Sequence, residues 1–515
     1  MYYNSNNWNL IAKIIDKLLK HSDLDFNLIQ FKVLEAEERE KRLQMVTLCL
    51  KKCGFPYNTI VEVYEKLILE VEEAEQSYYL MEALCYIDQK LCHQNQVRPF
   101  MVDNEMMVGP MRKLNINAEE LGIIILPKLQ CKWSGNGKSG DEFGDLSMGE
   151  GINQLMKYYY VDMKALGGYE LQNYVINDMQ WNKTREFLRI AVSPLTNGNV
   201  LAVKKYKAEK KKKIGIAGVG SDVVERECGQ KIDPMFYVSK KELEKKALRL
   251  IEEAARIQAD ILMFPEMLGT KAMIEQCLEL LGKLDIQGGK KKQPPLITLL
   301  PTVWHSEGGE KECNLWEAGN NSNNLYVACR GDLLYEEGFK ETLIQQKQNP
   351  YLEKRTNTSG EVEDIKSDKK ICLIHVPYLG RIVFPICADL LTKSYRKLLI
   401  EVLGATLILC PSFSKGFDEF IQLTNIGNTY GCRMIWCNSC AVRHLYKKDI
   451  PGAFQESDIC CMGAHGNRDY TPVKPDAECK NGQCSNMCLF YIDIPLPPFT
   501  TKDVSGQLHW HHLIA

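Results

Sequence analysis

The sequence predicts an α/β protein, with a mainly α-helical region ahead of a layered domain of strands and helices. Three observations predict it. Apolar residues recur at helical spacing through residues 7 to about 93. After a lysine-rich stretch at 204–213 the pattern changes to apolar strands alternating with amphipathic helices, the signature of α/β layers. One such strand, in GRIVFPICADLL (380–391), delivers Cys387 to its C-terminal end.

Taken in order, Leu10, Ile11, Ile14, Ile15 and Leu18 fall at i, i+3/i+4 spacing, and so do Ile60, Tyr64, Leu67, Ile68 and Val71. Gly54-Phe55-Pro56 breaks the pattern between two helices, and the charge run LEAEEREKR (34–42) reads as a solvated helix face. ELGIIILPKL (120–129) and EFLRIAVSPL (186–195) read as buried strands. The glycine-rich WSGNGKSGDEFG (133–144) imitates a phosphate-binding loop, but Lys132 stands where that motif needs glycine. YYVDM (159–163) resembles a polymerase turn without its second acid, so both stretches read as structural. KKYKAEKKKK (204–213) is a solvated linker or hairpin tip before a strand at 214–220, and it is the expected domain boundary. Residues 240–258 form an amphipathic helix with Leu243, Ala247, Leu250, Ile251 and Ala254 on one face. A strand at 260–264 follows and ends in Pro265-Glu266. Residues 323–351 read as strand-turn-strand with Gly331-Asp332 as the turn, and the second strand runs to Lys347.

Length suggests more than one domain, because 515 residues exceed one ordinary core. A net charge of -2 gives no general attraction to nucleic acid or to an anionic membrane. No apolar run is long enough to span a bilayer, and the first twenty residues lack the basic and apolar regions of a signal peptide. Twenty cysteines without an export signal point to reduced, buried thiols in a cytoplasmic protein. Cys460, Cys461, His465, Cys479, Cys484 and Cys488 cluster loosely, but their spacing departs from the close pairs of zinc sites, so no metal is expected. His509, His511 and His512 sit in what reads as a C-terminal tail, 501–515.

Chemistry concentrates at three positions. A thiol at a strand tip can attack an electrophile, but at neutral pH little of it is ionised, so Cys387 needs a base and a stabilising cation. Glu266, at the end of its strand where a carboxylate can be held part-buried, suits the first role, although alone it reads as a loop acid or helix-start charge. Lys347 suits the second, although a lone lysine is usually solvent-exposed.

The order FPE (264–266), K-x-x-P-Y (347–351) and ICAD (386–389) resembles the carbon–nitrogen hydrolase (nitrilase) superfamily. GATLILCPSF (404–413) and MIWCNS (434–439) are similar to its later strands, and the resemblance covers about residues 210 to 500. It implies a four-layer α-β-β-α sandwich that pairs with a second copy as a homo-oligomer and needs no cofactor. It also implies Glu266 as general base, Cys387 as nucleophile, Lys347 as stabilising cation and the Ala388 N–H as a second oxyanion donor. Glu353 is the nearest candidate for the family's second glutamate. Asn349 stands where many members have His, ADLLTKS lacks the common continuation after the cysteine, and 417–430 lacks a clear family pattern. The polar segment 353–370 reads as a flexible loop at the pocket edge.

The implied activity is hydrolysis of a non-peptide C–N bond through a thioester, in a small-molecule amide in preference to a nitrile. The expected organisation is a helical interaction domain (1–95), a mixed connecting region (96–209), the hydrolase domain (210–500) and the tail. The rival reading is a non-enzymatic scaffold or defence component whose N-terminal helices bind a protein partner, motivated by the large extension.

Overall fold

A computed structural model describes residues 5–21, 23–33, 36–52, 71–73, 75–94, 122–127, 152, 155–156, 158–176, 187–195, 202–208, 211–217, 240–287, 293–306, 321–335, 338–353, 361–363, 365–376, 379–414, 420, 423, 432–442, 462–466, 469–473, 488–495 and 511–514. The helix expected over Ile60–Val71, the break at 54–56, the glycine-rich loop at 133–144 and most of 417–430 lie outside them.

The chain opens with helices α1 (Ser5–Leu19), α2 (Leu24–Val33), α3 (Ala36–Lys52) and α4 (Gln76–Gln94). The apolar stripe of α1, Leu10, Ile11, Ile14, Ile15 and Leu18, is buried against Leu80, Met81, Leu84 and Ile87 of α4. Burying such a stripe is what stabilises a helix of this length, since propensity alone is marginal. The charge run at 34–42 is only partly a solvent face. Glu37 and Lys41 pair in the open, but Arg39 lies over the Phe31 ring and donates to the buried Glu82.

Two strands, β1 (Ile123–Pro127) and β2 (Tyr158–Asp162), pair antiparallel. Next come β3 (Glu170–Ile176), β4 (Phe187–Val192), β5 (Ala202–Ala208), β6 (Lys211–Ala217), α5 (Lys240–Arg256), β7 (Ile261–Met263) and α6 (Lys271–Gln287). The middle of the chain forms β8 (Ile297–Leu299), β9 (Val303–Ser306), β10 (Asn321–Tyr335), β11 (Gly338–Gln346), β12 (Leu352–Glu353) and β13 (Glu361–Glu363). Then follow β14 (Lys370–Val376), β15 (Gly380–Val383), α7 (Ala388–Leu391), α8 (Lys393–Lys397), β16 (Leu407–Pro411) and β17 (Arg433–Cys437). The last strands are β18 (Met462–Gly466), β19 (Asp469–Val473), β20 (Cys488–Pro495) and β21 (His511–Ile514).

Fifteen strands share one hydrogen-bonded sheet, ordered β19-β18-β17-β16-β15-β14-β3-β10-β8-β7-β4-β20-β21, with β9 and β11 also on β10. The fold is therefore α/β, as expected. Parallel pairing runs through β15, β16 and β17, and again through β4, β7 and β8. Helices make the crossovers, α6 between β7 and β8 and α7–α8 between β15 and β16.

Strand residues alternate between clusters. Ile261, Met263, Ile382, Leu407, Leu409 and Ile435 join one core shared by both stretches of the sheet. Leu262 turns instead to Leu243, Ala247, Leu250 and Ile251 of α5, the face expected of that helix. Val383, Ile408 and Met434 turn to Tyr395 and Leu399 after α7. Strands buried on both faces explain why these segments read as continuous apolar runs.

Two expectations need correction, and two become more specific. The sheet begins before residue 210, because β3 and β4 pair within it, so the connecting region contributes strands to the large sheet. Of the two readings of the lysine-rich stretch, the hairpin holds: it lies in the paired strands β5 and β6, and β6 also pairs with β13. Gly331 and Asp332 do not turn the chain. They lie inside β10, where its register on β11 shifts between Ala328 and Leu333, and the hairpin closes between Tyr335 and Gly338. A bulge absorbs the glycine that sequence patterning takes for a turn. Part of the C-terminal tail is β21, an edge strand on β20.

Candidate active site

The ends of β7, β11 and β15 converge. Beyond β7 the chain runs Phe264-Pro265-Glu266, and the Glu266 N–H donates to Ser412 O at 3.3 Å, after the end of β16. Lys347 is the first residue past β11, its N–H held by Asn323 O at 2.8 Å. Beyond β15, Phe384-Pro385-Ile386 leads to Cys387, which starts α7 with φ 47° and ψ −105°. Positive φ is uncommon and strained for a residue with a Cβ. Its N–H donates to Pro411 O at 2.9 Å, which holds the turn in place. The residue after Glu266, Met267, also has positive φ, at 70°.

Glu266, Lys347 and Cys387 are each at most 3% exposed and share one environment. Lys347 Nζ donates to Glu266 Oε1 at 2.8 Å and to Glu363 Oε2 at 2.7 Å. Glu266 Oε1 also accepts from Asn323 Nδ2 at 2.8 Å, and its Oε2 accepts the Phe413 N–H at 2.9 Å. Cys387 and Glu266 are near enough for each to act on the other's proton affinity. Glu363 Oε2 further accepts the Tyr351 N–H at 2.9 Å.

Burial dominates the electrostatics. It raises the Glu266 carboxyl above its ordinary value, aided by Glu363 and opposed by Lys347. Burial alone would lower Lys347, but Glu266 and Glu363 outweigh it and hold the ammonium well above its ordinary value. The Cys387 thiol is pushed well up by burial and by Glu266, with Lys347 pulling the other way. The resting site thus holds a neutral thiol, a firmly charged ammonium and, in Glu266, a carboxyl with raised proton affinity. A thiol so placed can pass its proton to Glu266 while the ammonium offsets the charge that moves onto a bound electrophile.

The expected residues are placed as follows. Glu266, Lys347 and Cys387 come together. Ala388 opens α7 directly after the thiol. Glu353 lies on β12, its backbone opposite Glu361, and its side chain is outside the described residues. The glutamate that reaches Lys347 is Glu363. The polar segment that read as a flexible loop carries β13, and pairing of Glu363 with Ile214 of β6 anchors it. The pattern-based reading missed it because a buried carboxylate in EVEDIKSDKK looks like its solvated neighbours. It also missed Asn323, which holds Glu266 by its side chain and Lys347 by its carbonyl.

Most of the described cysteines are buried, and no metal-ligating cluster occurs among the described residues. Cys460, Cys461, Cys479, Cys484 and His509 lie outside them, while Cys488 is buried on β20 and the exposed His511 stacks on Tyr491. No helix of the described residues is long and apolar enough to cross a membrane.

No family model matches the chain, and no curated protein does. Among solved structures it is similar to a glutamine-dependent NAD+ synthetase from Acinetobacter baumannii in complex with ADP, at TM-score 0.32 and 10% identity over 64% of this chain. The likeness spans about half, 48%, of the synthetase. It is also similar to an amidase from Nesterenkonia sp., at TM-score 0.27 and 13% identity, over 61% of this chain and 92% of the amidase.

Proposed function

We propose that this chain is a cytoplasmic, thiol-dependent hydrolase of a non-peptide C–N bond with a nitrilase-like α-β-β-α sandwich that pairs with a second copy. The observation that carries the reading is the buried Lys347 ammonium bridging Glu266 and Glu363 beside the Cys387 thiol. The layered reading is supported by strand residues that face a shared core on one side and helices on the other.

In the proposed reaction Glu266 takes the Cys387 proton as Sγ bonds to the substrate carbon. Lys347 and the Ala388 N–H offset the oxyanion. Collapse breaks the C–N bond, and the Glu266 proton leaves with the amine. Water, deprotonated by Glu266, then attacks the thioester carbon, and the carboxylic acid departs as the proton returns to the thiol. Glu363 takes the place assigned to Glu353 as second glutamate and keeps Lys347 charged. Two buried acceptors, Asn323 Oδ1 and Glu363 Oε1, have no donor among the described residues. They are available to substrate N–H groups, which favours an amide over a nitrile, because a nitrile has none.

The test is alkylation by iodoacetamide mapped by mass spectrometry in the intact protein and in Glu266→Gln. Cys387 is expected to react faster than the other cysteines and to lose that advantage in the variant. If it labels no faster than the rest, the hydrolase reading fails. The second reading, a scaffold whose N-terminal helices hold a protein partner, draws on the exposed Leu43, Met45 and Leu48 of α3. It predicts the slow labelling.

A further inference from the structure

One fully buried carboxylate beside the site plays no part in the proposed chemistry. Asp389 is 0% exposed, two residues beyond the thiol, and both of its oxygens are used. Oδ2 accepts the Ile386 N–H at 3.0 Å, on the turn that presents Cys387. Oδ1 accepts the Gln348 N–H at 2.9 Å, the Asn349 N–H at 2.6 Å and Asn349 Nδ2 at 3.1 Å, on the segment that follows Lys347. One side chain thus ties together two stretches of backbone about 40 residues apart, each next to a reactive group.

We propose that Asp389 is a positioning residue: its carboxylate clasps the backbone after Lys347 to the backbone before Cys387, and so fixes ammonium and thiol relative to each other. The inference rests on the hydrolase reading for the chemistry it serves, but the clasp itself stands on the four contacts. All four partners are N–H donors, so an acceptor-only carboxylate satisfies them and an amide or a protonated acid does not. Either of these turns a hydrogen toward an N–H. Asn349 departs from the histidine common in the resembling family, and here its backbone and side chain both serve the clasp.

Burial pushes the Asp389 carboxyl up to about 7, against the pull of Ile386, Lys347 and Asn349. The titratable groups that face it are Lys347 and Cys387 on the joined segments, Tyr395 on α8, Tyr169 before β3 and Cys410 on β16. The tyrosines and Cys410 are held neutral through this range, since burial raises each of them further. Protonation near neutrality therefore opens the clasp, and the reactivity of Cys387 falls on the acid side.

The test compares wild type with Asp389→Asn by two readouts on the full chain. Hydrogen exchange followed by mass spectrometry is expected to show Gln348, Asn349 and Ile386 losing protection together in the variant. Iodoacetamide labelling of Cys387 is expected to slow by about 10–100-fold and to lack the step near pH 7 expected of wild type. A merely structural role would slow labelling without removing that step. Unchanged exchange overturns the clasp, and unchanged labelling with the step retained overturns its positioning role. If exchange changes while Cys387 labels no faster than other cysteines even in wild type, the hydrolase reading has failed and takes the positioning role with it. Should Asp389→Asn not fold, Asn349→Ala removes one of the four contacts and is expected to loosen Ile386 less.

Discussion

Lys347 decides the electrostatics of the site, because one ammonium compensates two carboxylates that burial alone would not tolerate. Removing one member of a buried ion pair leaves the other charge without compensation. Lys347→Met is therefore expected to cost about 3–5 kcal/mol in denaturant unfolding. Adding Glu363→Gln is expected to restore part of that loss, and a double variant no better than the single would break the argument. Asp389 offers a second residue-scale test. Its folded value of about 7 lies above the unfolded carboxyl, so the native state holds the proton more tightly. Its contribution to stability is present below about pH 4 and is lost as pH rises through about 7. Glu266 shifts in the same direction. The thermal midpoint is expected to fall between about pH 5 and about pH 8, and to fall less in Asp389→Asn. Reactivity and stability thus run in opposite directions over this window. Glu266, Lys347 and Cys387 were legible through the order of the motifs that carry them, since each residue alone has a commoner reading. Glu363 and Asn323 were not, because their burial comes from pairing with distant strands that no local window contains.

Among the elements, β15 shows how a strand aims a reactive group. Gly380 opens it at φ 85°, and a Cβ built there would sit 2.4 Å from Thr406 Oγ1. That hydroxyl donates to Leu379 O at 2.6 Å and accepts the Arg381 N–H at 2.8 Å, so the strand enters against the start of β16. Gly380→Ala meets both an unfavourable φ and a clash, and is expected to destabilise by about 2–4 kcal/mol. The expected signature is a lower denaturant midpoint with an unchanged m-value, and wild-type stability would show that the close approach does not matter. The strand was read correctly from its apolar run, and α5 from its one-sided stripe. The turn assigned to Gly331-Asp332 went wrong because a glycine inside a long strand and a glycine in a turn give the same local signal. Only the partner strand distinguishes them, through the register shift on β11.

At the scale of the whole molecule, the N-terminal helices are tied to the large sheet through the β1–β2 hairpin. The hairpin alternates in the usual period of two. Ile123 and Tyr160 pack with α1 and α4, whereas Ile124 and Val161 join the layer that covers β15, β16 and β17. A separate interaction domain would share no such element. The ring pair Tyr169–Tyr395, centroids 5.3 Å apart, continues that layer to α8 behind the Cys387 turn. The two faces can be probed independently. Ile123→Asp buries a charge against the helices alone, so it is expected to loosen α1 and α4 in hydrogen exchange while Cys387 keeps its reactivity. Ile124→Asp sets the same charge against the sheet's outer layer, and is expected to slow Cys387 labelling as well. If both variants affect only the helices, the extension is an appendage. A loss of Cys387 reactivity confined to Ile124→Asp makes the hairpin the joint through which helices and site share one stability.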